Sequence, residues 1–244
     1  MRTVVIIPAR YNSSRFPGKP LVKLLDKPMI IWVAAIAEKA VGRENVYIAT
    51  DDKRIAEVVN EHGYATVMTS STALTGTDRL AEASKQINAD IFINVQGDEP
   101  LIEANDILRI RDQKSQFMDQ VINGFCWLNE YEDANNVNIP KVITNEKNQL
   151  IYMSRNPLPG YKDHKNAPKK YKKQVCIYAF TKCELLSFYE FGRKSELEHH
   201  EDIEILRFLE LGKIIKMVET KPGSLAVDSP EDVALVEKAL EELG

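Results

Sequence analysis

Val4-Val5-Ile6-Ile7-Pro8-Ala9-Arg10-Tyr11-Asn12-Ser13-Ser14-Arg15-Phe16-Pro17-Gly18-Lys19-Pro20 joins a short β-branched run to a loop dense in cations. A continuous apolar run closed by a proline fits a strand buried on both faces, as in a parallel sheet. The loop that leaves it carries Arg10, Arg15 and Lys19, small hydroxyl residues and a Pro17-Gly18 bend. Ligands of open α/β sheets bind beyond the carboxyl ends of strands. Cations there can wrap a polyphosphate through charge-assisted hydrogen bonds. The same residues also read as a solvent-exposed basic turn; the place after the first strand favours the ligand reading. The loop is not a Walker P-loop, which needs glycine where Ser13 stands and Ser or Thr where Pro20 stands, and no GxGxxG follows the strand.

Outward from this stretch, apolar β-branched runs alternate with helical spacing, the signature of a mostly parallel sheet covered by helices. Helical spacing of Ile30, Val33, Ala34 and Ala37 precedes a strand at Val46–Ala49. Asp51 or Asp52 is placed to cap a helix ending at His62-Gly63. Then come a strand at Ala65–Met68, a helix from near Thr77, a strand at Ile91–Val95, a helix around Asn105–Lys114 and a strand at Val121–Trp127. Beyond about residue 135 the pattern changes. Lys141–Thr144 and Leu150–Ser154 flank a turn-like Asn145–Asn148 and predict an antiparallel hairpin. A strand at Val175–Phe180, helices near Glu184–Phe188 and Glu201–Leu211, and a strand at Ile214–Glu219 follow. Ser229, Pro230 and Asp232 predict the start of a last helix. The expectation is one α/β domain over 1–244 with an antiparallel insertion at about 135–190.

Composition narrows the function classes. Of 244 residues 44% are apolar and 28% charged, with a formal net charge of -4. That is a globular composition, and it argues against nucleic acid or an anionic membrane as partner, since both need a broad basic surface. Cys126, Cys176 and Cys183 show no CxxC spacing and read as reduced, mostly buried thiols. The apolar run near the N-terminus is too short for a signal peptide or a membrane span, so a cytoplasmic protein is expected.

Two aspartates stand where a metal could be held. Asp98 follows the strand at Ile91–Val95, and Asp228 follows Ala226-Val227 just ahead of the last helix. Mg²⁺ takes a few carboxylates with waters and phosphate oxygens, which two strand-end aspartates can supply. Turn formation at Asp98 and helix capping at Asp228 are the competing readings. Residues 162–173 hold six lysines and read either as a solvated loop or as a lid over an anion. His199 and His200 point about 100° apart on a helix, so they read as surface or interface residues rather than one metal site.

The first loop resembles the IPARxxSxRxPGKPL opening of the CMP-sugar synthetases, and specifically of the 3-deoxy-manno-octulosonate (Kdo) cytidylyltransferases. The matching residues are Ile7 to Arg10, Ser14-Arg15 and Pro17 to Leu21, with Lys27 to Ile30 continuing. Ala49 to Asp52, Thr75 to Leu80, Asn94 to Pro100, Ser154-Arg155, Ile177-Tyr178 and Val227 to Asp232 resemble further family elements in the family's order. The resemblance implies a Rossmann-like, glycosyltransferase-A-like nucleotidyltransferase domain. It implies CMP transfer from CTP to the anomeric hydroxyl of a 3-deoxy-2-ulosonic acid, with pyrophosphate released, for lipopolysaccharide or capsule synthesis. It further implies Mg²⁺ on Asp98 and Asp228, with Arg10, Lys19 and Asp98 catalytic. Arg10, Ser14, Arg15, Lys19, Gly76, Thr77, Arg79 and Gln96 would hold the nucleotide; helix capping is a rival role for Thr77. Arg155, Gln174, Tyr178 and Glu204 would hold the acceptor, Arg155 on its carboxylate. A homodimer built through the insertion is also implied. Two positions depart from the pattern: Gln174 stands where the family has His, and Ile205 where it has Gln. Both belong to the acceptor side, so an altered sugar such as 8-amino-Kdo is an expectation beside Kdo.

Overall fold

In the computed structural model, β1 (Thr3–Ala9) is buried from Val4 onward, because helices cover both of its faces. The model describes residues 1–12, 16–221, 225–227 and 229–243, the side chain of 243 excepted. A small hairpin, β2 (Lys23–Leu24) with β3 (Lys27–Pro28), leads into α1 (Met29–Val41). β4 (Val46–Thr50), α2 (Lys53–Glu61), β5 (Ala65–Met68) and α3 (Gly76–Ser84) follow. Next are β6 (Ile91–Val95), α4 (Ala104–Gln116), β7 (Val121–Trp127), β8 (Lys141–Thr144) and β9 (Leu150–Ser154). The chain continues through β10 (Lys172–Phe180), α5 (Lys182–Glu190), α6 (Glu196–Glu201), α7 (Ile205–Glu210), β11 (Ile215–Glu219) and α8 (Asp232–Leu243).

The main sheet runs β11-β7-β10-β6-β1-β4-β5. β1 pairs parallel with β4 and β6, β4 with β5, and β11 with β7. β10 is antiparallel to both its neighbours, and β8 and β9 extend from its N-terminal end as the expected antiparallel region. Alternation along β1 splits the core into two layers. Val5, Ile7 and Ala9 pack with Ile30 and Val33 of α1, Ile55 of α2 and Ile107 of α4. Val4 and Ile6 pack with Leu80 of α3, Leu185 of α5 and Phe208 of α7. The α/β expectation and the strand list agree with this architecture.

Local chemistry accounts for the element boundaries. Asp52, not Asp51, caps α2 by accepting from the Arg54 N–H at 2.9 Å. Thr75 caps α3 by accepting from the Asp78 N–H at 3.1 Å, so Thr77 lies inside the first turn. The expected helix at Glu201–Leu211 is two helices. Asp202 takes a left-handed conformation (φ 50) between α6 and α7, and Arg155 binds the carbonyls of Glu201 and Asp202 there. The last helix begins at Asp232 rather than Pro230; the Asp232 carboxylate accepts from the Ser229 N–H at 2.8 Å. The thiols are less buried than expected: Cys126 is buried, Cys176 half-buried and Cys183 exposed. Among the described residues, no helix is long and apolar enough to cross a membrane.

Candidate active site

The strand order reverses between β1 and β6, since the chain moves from β1 to β4 and β5 on one side and places β6 on the other. The carboxyl ends of these two strands diverge into a cleft of ≈ 320 Å³ lined by residues of the first loop, of 73–79, of 96–98 and of 194–204. A crevice at a switch point is where this class of sheet binds ligands.

Gly97 sets the first wall. A Cβ there would stand 3.1 Å from Ile30 Cδ1 and 3.2 Å from the Pro8 carbonyl, tighter than ordinary contact, so glycine lets the turn after β6 lie close against the end of β1. The next residue, Asp98, meets Lys19: Nζ to Oδ2 is 2.6 Å. Lys19 reaches it from a short helical turn that follows Gly18 in a left-handed conformation (φ 74), whose N–H donates to the Tyr11 carbonyl at 2.8 Å. Arg10 is exposed at the mouth and lines the same cleft. The sequence places these groups far apart, and the fold brings them together. Ser14, Arg15 and Asp228 lie outside the described residues. Val227, one residue before Asp228, donates its N–H to the Asp98 carbonyl at 3.0 Å.

The N-terminus of α3 forms the second wall. A Cβ on Gly76 would lie 3.4 Å from Pro8 Cγ, 3.5 Å from Glu204 Oε1 and 3.6 Å from Gln96 Nε2, which locates all four groups around one point of the cleft. Arg79 is buried, with Nη2 3.1 Å from Asp51 Oδ1 and Nη1 donating to Thr69 Oγ1 at 2.5 Å. Burial lowers its pKa from the ordinary arginine value; Asp51 opposes the shift and nearby Arg10 adds to it.

Glu204, expected on the acceptor, has both carboxylate oxygens engaged by α3. Oε1 accepts from the Gly76 N–H at 3.1 Å, and Oε2 accepts from the Thr77 N–H at 2.9 Å and from Thr77 Oγ1 at 2.7 Å. Glu204 still lines the cleft, whereas Thr77 is directed away from the lining and into this contact.

Three acceptor candidates stand outside the lining. Arg155 donates from Nη1 to the Val137 carbonyl at 2.8 Å, from Nη2 to the Asp202 carbonyl at 3.0 Å and from Nε to the Glu201 carbonyl. Its fork closes the α6–α7 break instead of facing the cleft. Gln174 Nε2 donates to Asn123 Oδ1 at 3.2 Å and to the Tyr178 hydroxyl at 3.1 Å. The Tyr178 phenol is pushed well above its usual range by burial, with Cys176 and Glu204 adding to the shift. Ile205, the second departure from the family pattern, is 1% exposed and packs in the core beside Phe208. Neither departure lines the cleft.

Sequence reasoning missed three charged groups. Lys194 and Asp202 line the cleft and pair at 2.8 Å. Arg207 is fully buried and bridges Asp78 of α3 to Glu198 of α6. Its spacing of three from Glu204 was the one visible signal, since i and i+3 share a helix face. His199 and His200 are exposed, and among the described residues no three His, Cys, Asp or Glu side chains gather into a metal cluster. Within residues 162–173, the part before β10 is mostly exposed, and none of the run lines the cleft.

A family model described as cytidylyltransferase matches residues 4–215. A 3-deoxy-manno-octulosonate cytidylyltransferase of Geobacter metallireducens is 39% identical, with 98% of each chain covered. One from Christiangramia forsetii is 40% identical over 98% of this chain and 97% of its own. A solved structure, the CMP:2-keto-3-deoxy-manno-octonic acid synthetase complexed with CTP, superposes with a TM-score of 0.92 at 33% identity and full coverage of both chains. The chain belongs to the cytidylyltransferase family, and its full-length relatives are 3-deoxy-manno-octulosonate cytidylyltransferases.

Proposed function

We propose that this enzyme transfers CMP from CTP to the anomeric hydroxyl of Kdo and releases pyrophosphate. The observation that carries the reading is the Lys19–Asp98 pair at the carboxyl ends of β1 and β6, in a chain whose full-length relatives carry that activity in their names. Arg10 and Lys19 neutralise the triphosphate and the leaving pyrophosphate, and Arg15 continues the same basic loop. Gly76, Arg79 and Gln96 form the base and ribose side, and Thr77 supports it from behind by holding Glu204. The anomeric oxygen attacks the α-phosphorus in line as pyrophosphate departs. Catalysis of this kind rests on positioning and on charges fixed where charge develops.

The donor set fits Mg²⁺. That ion takes one or two carboxylates and completes its shell with water and substrate phosphates, so a three-carboxylate cluster is not required. Asp98 faces the cleft, and the contact between Val227 and the Asp98 backbone supports Asp228 as the second ligand. When bound, Mg²⁺ supplies charge neutralisation at the phosphate oxygens and lowers the pKa of the acceptor hydroxyl.

Exposed Trp127, Tyr131, Val137, Ile151 and Tyr161 cluster in sequence around the antiparallel region; they support a homodimer through it, which light scattering of the full chain would test. CMP-Kdo made in the cytoplasm would serve lipopolysaccharide or capsule assembly. Pyrophosphate release with CTP and Mg²⁺, screened against Kdo, 8-amino-Kdo and N-acetylneuraminate, tests the reading. Turnover is expected with Kdo and is abolished by EDTA; no release with any of the three acids would overturn it.

A further inference from the structure

The cleft wall built by residues 194–204 carries a cation to which the nucleotide reading gives no role. Lys194 stands one residue ahead of the Ser195 cap of α6, and its Nζ lies 2.8 Å from Asp202 Oδ1. The two side chains keep 34% and 74% exposure, so the pair stands at the mouth rather than in the core. Arg155, the arginine expected to meet the acceptor's carboxylate, instead holds the carbonyls of Val137, Glu201 and Asp202. Among the described residues, Lys194 is therefore the cation lining this wall, while Arg10 and Lys19 belong to the first loop with the triphosphate.

On the transferase reading above, we propose that Lys194 is a specificity-determining residue that takes the carboxylate of the sugar acid, and that Asp202 holds its ammonium over the cleft until the acid arrives. The exchange is chemically even, one carboxylate replacing another on the same ammonium. The pair that is given up is weak, because solvent screens an exposed ion pair. The pair that forms is stronger, because a bound acceptor excludes water from it. Arg155 then acts as a positioning residue: it fixes the left-handed Asp202 backbone from which the Asp202 side chain reaches Lys194. Recognition is by charge, so it selects sugar acids over neutral sugars while leaving the nucleotide untouched.

Steady-state pyrophosphate release by the full chain tests this, with CTP and Kdo varied in turn. K194M is expected to raise KM for Kdo about tenfold or more, the scale of one lost charge-assisted hydrogen bond. KM for CTP should stay within about twofold, and K194R should recover most of the Kdo affinity because it keeps the positive charge. A KM for Kdo in K194M within about twofold of the wild type would overturn the proposal. So would a parallel rise of both KM values with a lowered melting temperature, which would make Lys194 merely structural. Absence of turnover in the wild type with any of the acids above would remove the transferase reading and this assignment together.

Discussion

Replacing Arg207 by methionine asks how much one buried cation contributes to the structure around the cleft. The guanidinium is fully buried, and all five of its N–H groups are used. Nη1 and Nη2 donate to the two oxygens of Asp78 at 2.9 and 3.2 Å, Nε and Nη2 to the two of Glu198 at 2.7 Å each, and Nη1 also to the Phe188 carbonyl at 3.3 Å. Asp78 and Glu198 are 3% and 1% exposed. Methionine fills much of the volume and packs against Phe188, over whose ring the guanidinium lies at 3.7 Å. It leaves two buried carboxylates without a counter-charge. Removing one partner of a buried pair costs roughly 3–5 kcal/mol. Each carboxylate keeps one donor, Thr75 Oγ1 for Asp78 and the Ser195 N–H for Glu198, so about 4 kcal/mol is expected at neutral pH rather than twice that. For a chain of this length that corresponds to a fall in Tm of roughly 8–16 °C. Urea denaturation at pH 7 measures it, and the triple variant Asp78→Asn, Glu198→Gln, Arg207→Met should recover most of the loss, because it has no unpaired charge to bury. A loss below about 1 kcal/mol in Arg207→Met would refute the reasoning, since that is the scale of a solvated surface pair.

Asp98→Asn should lower kcat by about 10²-fold or more, the scale of losing one preorganised electrostatic group; near-normal pyrophosphate release would remove Asp98 from the chemistry. Gly124→Ala puts a Cβ 2.7 Å from Ile177 Cγ2 and 3.3 Å from Thr220 Cγ2, and should cost about 1–3 kcal/mol by overpacking; an unchanged urea midpoint would show that β7 and β10 separate easily. Burial works to raise the Glu201 pKa, but hydrogen bonds from the Arg155 N–H, Ser154 and Tyr152 outweigh it and hold the value below 4.5. A lowered carboxylate contributes stability that is present above its unfolded pKa and lost as pH falls through the folded one. Glu201→Gln should therefore flatten the stability profile below about pH 4.5, and an unchanged acid limb would contradict the shift.

The strands were legible because their physics is local. A strand buried on both faces must be a β-branched run, as Val4–Ile7 and Ile91–Val95 are, and such runs survive in the sequence as plain text. The place of the first loop was legible for the same reason, since Arg10 and Lys19 follow the strand closely in sequence, and both line the cleft. The break at Asp202 was not. Nothing between Glu201 and Leu211 forbids one helix; the interruption depends on Arg155, which binds the freed carbonyls from another part of the chain. Arg207 and Asp78 meet across a separation of 129 residues, and a sequence read along its length has no means of pairing them. Lys194 left no mark either, because a lone lysine ahead of a capping box is ordinary surface chemistry until the fold turns it toward a cleft.

The arrangement of α7 also bears on where a triphosphate can bind. A helix N-terminus ordinarily offers its free N–H groups to a phosphate. At α3 that offer is already taken: Glu204 accepts from the N–H groups of Gly76 and Thr77, and one turn later Arg207 grips Asp78. A protein carboxylate thus stands where an anion would otherwise be drawn, and it repels a second one. On the proposed reading the triphosphate takes the opposite wall, where Arg10 and Lys19 line the cleft, so the basic loop after β1 does not duplicate the helix terminus. On the same reading the first turn of α3 would serve the uncharged end of the nucleotide. Gly76 suits that role, because the space its missing side chain leaves is bounded by Pro8, Gln96 and Glu204.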